Sequence, residues 1–212
     1  MKNLIYVFIL CFFCSCAPTM DYTWTKNSYK GKKFNKIGVV VVSKDQAVRN
    51  ALENKIVSDL KEQGVEAIAS ITSFLPVNAP KSDWNTDQIA SNLKSYGCDA
   101  AIGISLVNIK DRTDFIPGSS YIYPTGYYRY GRHIYTNYNR VYSPGYYEQN
   151  IEYVIESNLY DLTVNNIEIN AMVWKGQSSV TNPRSVSGGS KIYADNLVDY
   201  LIKNNIIIKP EP

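Results

Sequence analysis

Between Phe115 and Tyr147 the chain concentrates side chains that recognise rather than react. Ten of its 18 tyrosines lie from Tyr121 to Tyr147, together with Arg129, Arg132, Arg140 and the only histidine, His133. No Asp or Glu occurs between Asp114 and Glu148. A tyrosine offers a large apolar ring with a polar tip and only two side-chain torsions, so it binds at small entropic cost. An arginine adds a planar fork of donors suited to carboxylate or phosphate. The mixture fits recognition of a glycan, a peptide or a protein, carried by Tyr127, Tyr128, Arg129, Tyr130, Arg132, Tyr135, Tyr138, Arg140 and Tyr142. A loose period of two puts Tyr128, Tyr130, Arg132, Ile134, Tyr138, Arg140 and Tyr142 on one expected face of a ribbon. The competing reading is that the tyrosines ladder over one another in a self-packed hairpin and meet no ligand. A membrane-spanning hairpin needs strands of about 9–11 residues with a clean apolar face, and Arg132 and Arg140 interrupt it.

Reaction chemistry has less to work with. His133 is solitary, so a nucleophile–histidine–acid arrangement would have to recruit it from the insertion. No His/Cys grouping has zinc spacing, and no metal or cofactor is expected. Asp111 and Asp114 flank Arg112, and Asp195 and Asp199 lie one helical turn apart; both pairs read as solvated faces. Gly188-Gly189-Ser190 before a helix reads as an ordinary loop and cap. Asp161 stays unassigned.

The opening residues, MKNLIYVFILCFFCSCAP, bear on location. Lys2 precedes the ten-residue apolar run Leu4 to Phe13, within the roughly 7–15 residues of a secretory signal core and short of the ~20 a transmembrane helix needs. Ser15-Cys16 follows, and the stretch resembles the bacterial lipoprotein signal, in which a small residue precedes a cysteine that is acylated and becomes the N-terminus. The resemblance implies acyl chains on Cys16, and removal of residues 1–15. Phe13 stands where that pattern has Leu; Cys14 is the weaker alternative because bulky Phe13 precedes it. Ala17, in place of Asp, implies by the same analogy an outer-membrane anchor, with the protein facing the periplasm.

Charge and length bound the remainder. Lys and Arg number 22 against 19 Asp and Glu, which gives no strongly basic face for nucleic acid. The chain beyond the signal is one domain long. Cys11 and Cys14 leave with the signal, and Cys98 reads as a small core residue.

Residues 16–32 read as the lipidated N-terminus and an irregular tether, and 33–209 as a single α/β domain with the insertion at 115–147. Ile37 to Val42 is a β-branched run typical of a strand covered on both faces. Ser43 and Gln46 form a capping box before a helix through Val48, Leu52, Ile56 and Leu60 that stops at Gly64. A strand at 65–70 comes next, then a loop with Pro76 and Pro80. Asn85 and Gln88 open a second helix that ends at Gly97, before the strand Ala100 to Ile109. After the insertion, Ile151 to Leu159 alternates as a half-exposed strand, Asn165-Asn166 turns, and Ile167 to Val173 returns as its partner. A last helix starts at Ser190. The expected fold is α/β, one mixed sheet in the order β-α-β-α-β-β-β-α, with a tyrosine-rich hairpin or loop between the third and fourth strands.

The Val-rich strand, GCDAAIGISL (Gly97 to Leu106), the aromatic insertion, LYDLTVNNIEINAMVWKGQSS (Leu159 to Ser179) and ADNLVDYLIKNN (Ala194 to Asn205) together resemble small bacterial envelope lipoproteins of uncharacterised function. Trp174-Lys175-Gly176 is similar to the Trp-Arg/Lys-Gly signature of that group. In element order alone, the chain is also similar to lipoproteins that activate penicillin-binding proteins or form the curli secretion pore, a likeness that assigns no function. The expectation is a lipid-anchored, non-enzymatic protein that binds an envelope protein or cell-wall polymer. Two alternatives stand beside it: an enzyme acting on glycans or peptides, and a structural lipoprotein whose copies associate through the hairpin.

Overall fold

In a computed structural model of the chain, the described residues are 20–76, 78–164 and 171–210, with 81 and 82 described without their side chains. Cys16 and the Asn165-Asn166 turn, with the strand start after it, lie outside them. The elements are β1 (Tyr22–Thr25), β2 (Ile37–Val42), α1 (Gln46–Glu62), β3 (Ala67–Ala69), a single-turn α2 (Ser70–Ser73), a 3₁₀ turn (Lys81–Trp84), α3 (Thr86–Ser95), β4 (Ala100–Ile116), β5 (Ser119–Tyr130), β6 (His133–Ser143), β7 (Tyr146–Asp161), β8 (Met172–Thr181) and α4 (Val186–Lys203). Six strands form one sheet in the order β1-β8-β7-β4-β2-β3, and β5 and β6 pair separately. β2 runs parallel to β3 and β4, and β1 antiparallel to β8, so the mixed α/β sheet is present. Two compact units result: Lys110–Glu152, and the residues before and after it.

In the larger unit the alternation along β2 supplies two cores. Ile37, Val39 and Val41 join Leu52, Ile56 and Leu60 of α1 and Leu197 and Leu201 of α4. Val40 joins Leu75, Ala90, Leu93 and Ala101. Gly38 lies on that second face, where a Cβ would stand 2.1 Å from Leu93 Cδ2. α3 therefore packs close against β2 because this position lacks a side chain.

Helix ends follow from local chemistry. The cap of α1 is Asp45 rather than Ser43, because its carboxylate reaches the amides of Ala47 (2.8 Å) and Val48 (3.2 Å), while Ser43 Oγ accepts from Asp45 N. Asn85 caps α3 as expected, accepting from Asp87 N. Gly64 and Gly97 follow α1 and α3 with φ of 81° and 78°. There Gly64 N donates to Lys61 O and Val65 N to Leu60 O, with Gly97 and Cys98 repeating the pattern on Lys94 and Leu93, the Schellman closure that favours glycine.

Several boundaries differ from the sequence expectation: β4 runs on to Ile116, β7 starts at Tyr146, and β8 continues to Thr181; two more differ for reasons of packing. Residues 22–25, read as part of an irregular tether, form the edge strand β1, and Met20 and Tyr29 pack on the core. Tyr29 Oη also donates to Ile206 O at 2.7 Å. Four alternating residues are too few to register as a strand beside polar neighbours; pairing with β8 makes it one. α4 begins at Val186 with Ser185 as its cap, four residues before Ser190. Gly188 and Gly189 lie within its first turn, where a Cβ on Gly189 would come 2.9 Å from Pro183 Cβ. These glycines serve close approach rather than chain reversal.

One buried polar cluster ties α1 to two strand ends. Glu53, fully buried, accepts from Val41 N (3.1 Å), Arg49 Nε (3.1 Å), Ser70 Oγ (2.8 Å) and Ile71 N (2.7 Å). Arg49, also buried, donates to Ser70 Oγ and Leu75 O and lies 4.6 Å from the Trp84 ring centre. Every oxygen of the carboxylate is used, so removal of one partner strands the others. We predict that Glu53→Ala lowers unfolding free energy by about 3–5 kcal/mol in urea titrations followed by tryptophan fluorescence; a loss below ~1 kcal/mol would contradict this account. Gly176→Ala tests the Trp174-Lys175-Gly176 run, since its Cβ would fall 2.4 Å from the fully buried Trp174 ring. A cost of about 1–3 kcal/mol is expected, against almost none for Gly126→Ala, where nothing lies within 4 Å.

Candidate functional site

Residues Lys110–Glu152 hold all nine of the tyrosine and arginine positions singled out in the sequence. β5 and β6 pair antiparallel from Ser119↔Ser143 to Tyr130↔His133, around a two-residue turn at Gly131-Arg132. Gly131 takes φ of 62°, the left-handed conformation such tight turns demand. The register shifts between Pro124 and Gly126, leaving Thr125 as an extra residue, a β-bulge.

Directly opposed residues share a face, and alternate residues along a strand do too. The register therefore sorts the side chains into two sets. One face carries Tyr121, Tyr123, Tyr128, Tyr130, His133, Tyr135, Asn137 and Asn139. The other carries Ile122, Tyr127, Arg129, Ile134, Tyr138, Arg140 and Tyr142. The single face expected from a continuous period of two is thus corrected. Reversal at Gly131 pairs Tyr130 with His133, so Tyr128 and Tyr130 part from Ile134, Tyr138, Arg140 and Tyr142, and Arg132 sits in the turn.

The faces differ in how far they satisfy themselves. On the first, Tyr128 and Tyr135 stack with centroids 5.3 Å apart and planes 16° apart, Tyr121 meets Tyr123 at 6.2 Å, and His133 meets Tyr135 at 6.5 Å. On the second, Tyr127, Tyr138 and Tyr142 make no ring contact among the described residues. They stay 71%, 65% and 68% exposed, against 59%, 39%, 52% and 45% for Tyr121, Tyr123, Tyr128 and Tyr135; Tyr130, beside the turn on the first face, is the exception at 76%. Arg129, Arg132 and Arg140 form no ion pair among the described residues; Arg129 Nε donates to Gly131 O at 3.2 Å. The acids at the base of this unit are occupied differently: Glu152 pairs with Lys110, and Asp114 with Arg112 and Asn150. One face is a self-packed ladder; the other is open, aromatic and cationic.

The larger unit holds an apolar pocket of about 400 Å³ that the sequence did not announce. Val41, Val48, Leu52, Ile104, Val180 and Val186 line it, beside the starts of α1 and α4. Of its polar residues, Asp45 and Ser185 cap those helices and Ser43 accepts from Asp45 N, while Tyr153 and Ser190 also line it. The pocket is lined mostly by apolar side chains and has room for an apolar group.

The other candidates resolve into structural roles. Lys175 and Gln177 donate to Glu156 at 3.0 and 2.9 Å. Asp195 pairs with Lys55 and Lys191, and Asp199 with Lys203. Cys98 is buried, and burial pushes its thiol up to about 11, as suits a core residue. Among the described residues no three His, Cys, Asp or Glu side chains converge to hold a metal ion, and no helix is long and apolar enough to cross a membrane.

Asp161 acquires a partner set. Its carboxylate receives Lys32 Nζ at 2.8 Å, Thr163 Oγ1 at 2.6 Å and Thr163 N at 2.9 Å, tying the segment after β1 to the end of β7.

No protein-family model matches the sequence, and neither does any curated protein. Solved structures similar to this chain include the PelC dodecamer from Paraburkholderia phytofirmans, at 11% identity and a TM-score of 0.43 over 89% of this chain and 97% of that one. Lipoprotein GNA1162 from Neisseria meningitidis is similar at 14% identity and a TM-score of 0.40, over 78% of this chain and 96% of that one.

Asp161 gives a pH test. Burial acts to raise its pKa, but the hydrogen bonds from Lys32 and Thr163 outweigh it and hold the carboxyl below its ordinary value. A depressed folded pKa adds stability above the unfolded pKa, near 3.9, and that stability is lost as pH falls through the folded value. Asp161→Asn should therefore cost about 1–3 kcal/mol at pH 7, and the gap to wild type should close as urea titrations move below pH ~4. A gap independent of pH would contradict this assignment.

Proposed function

We propose that this chain is a lipid-anchored protein of the bacterial cell envelope, without enzymatic activity, whose tyrosine-rich hairpin binds another envelope component. The observation that carries the reading is the open face of the β5–β6 hairpin, with three exposed tyrosines and two arginines lacking ring or acid partners. A hairpin stabilised by laddering alone has use for one aromatic face; here the second carries three further tyrosines that meet no other ring among the described residues. Tyrosine and arginine are the side chains most enriched where binding energy concentrates.

Envelope placement rests on Lys2, the apolar run Leu4 to Phe13 and Ser15-Cys16. Acyl chains on Cys16 hold the protein at the outer membrane, facing the periplasm. Cys16→Ser should move the protein from the membrane to the soluble fraction, and mass spectrometry of native material should find an acylated N-terminal cysteine at position 16; a chain starting beyond it with no lipid contradicts the anchor.

The binding element is tested by replacing residues 119–143 with a short glycine-containing turn. The larger unit should keep its unfolding midpoint while envelope material captured from detergent extracts is lost. Capture undiminished by the replacement would remove the hairpin from the function. A change of oligomeric state in size-exclusion chromatography, with capture intact, would instead favour association of copies through the hairpin.

A further inference from the structure

We infer that the open face of the β5–β6 hairpin binds an acidic polysaccharide, with Tyr138, Arg140 and Tyr142 as its central contacts; this rests on the hairpin being the binding element. These three residues alternate on β6, so they share a face. At about 3.4 Å per residue, Arg140 stands roughly 7 Å from each tyrosine, and the two rings are roughly 14 Å apart. Tyr127 and Arg129 extend the same face on β5.

Three features select the ligand. The first is charge: the segment from Phe115 to Tyr147 contains three arginines and no acid, so its complement is anionic. The second is shape. Tyr127, Tyr138, Tyr142 and Ile134 are 65–72% exposed, so these side chains stand out from the ribbon and do not enclose the desolvated pocket in which a protein interface seats its hot-spot residues. The third is repetition. A ring, a guanidinium and a ring at even spacing match a polymer that presents apolar sugar faces and carboxylates at regular intervals. The sugar's C–H face lies on a tyrosine ring, and the arginine fork takes the carboxylate in bidentate fashion. The laddered face does not compete for this ligand, because Tyr121, Tyr123, Tyr128 and Tyr135 lean on neighbouring rings, and the exposed Tyr130 has no arginine on its side.

The test is calorimetric titration of the full lipidated protein, in detergent, with three polymers of similar length. Polygalacturonate supplies acid and sugar ring, dextran the ring without charge, and polyglutamate the charge without a ring. Binding is expected to polygalacturonate only, and it should weaken as salt rises. Tyr138→Ala and Arg140→Gln should each reduce affinity by about tenfold or more, equivalent to ~1.4 kcal/mol. Arg140→Lys should recover part of the loss. Tyr130→Ala, an exposed ring on the laddered face, should change it by less than about twofold, equivalent to ~0.4 kcal/mol. These side chains stand in solvent, so the hairpin should survive each change, and a retained Tyr128–Tyr135 ring contact by NMR verifies it. No binding to polygalacturonate, equal binding to polyglutamate or dextran, or equal losses from Tyr130→Ala and Tyr138→Ala would each overturn the proposal. If hairpin replacement abolishes envelope capture while polygalacturonate fails to bind, the hairpin remains the binding element and only the ligand class falls.

Discussion

A two-stranded β-ribbon with water on both sides must stabilise itself, and it can do so from one face only if its register sorts the side chains unequally. Such ribbons are marginal on their own, and cross-strand ring pairs are among the few contacts available to them. In this protein the turn at Gly131 and the extra residue Thr125 settle which tyrosines meet. Tyr128 and Tyr135 end up stacked across the strands. Tyr127, Tyr138 and Tyr142 end up together on the other side with Arg129 and Arg140. Ring pairing is thus concentrated on one face of the hairpin, and the other, to which we assign recognition, is left open by a register of single-residue precision.

The larger unit solves a different problem. Its sheet buries both faces of β2 along Ile37 to Val41, so buried polar groups there must be satisfied within the protein. Glu53 meets this by collecting amides from β2 and α2 together with Arg49 and Ser70. Burial of an ion pair contributes little net stability by itself, but its hydrogen bonds fix how α1 sits over β2 and the start of α2. This unit also holds the apolar pocket beside the starts of α1 and α4.

Much of the sheet was legible because its cause is local. Ile37 to Val42 reads as a buried strand from β-branching, and Gly64 and Gly97 as helix stops from their tolerance of positive φ. The order of the main elements followed from these. Residues 22–25 were hidden because four residues alternate too briefly to outweigh their polar setting, and only β8 makes them a strand. Arg49 and Glu53 were visible as an i, i+4 pair on the same stripe as Leu52 and Ile56, yet a pattern that counts only apolar residues passes over them. The composition of 115–147 drew attention to these side chains, whereas their division between faces depends on a turn and a bulge that a continuous period of two cannot register.

The most direct measurement is the register itself, by nuclear Overhauser contacts in the intact protein with labelled tyrosines. Contacts between the rings of Tyr128 and Tyr135, and between Tyr121 and the Val141 methyls, with Tyr138 silent to both of those tyrosines, are the predicted result. Contacts of Tyr127 with Tyr135, the mark of a one-residue slip, would mix the two faces and contradict the account.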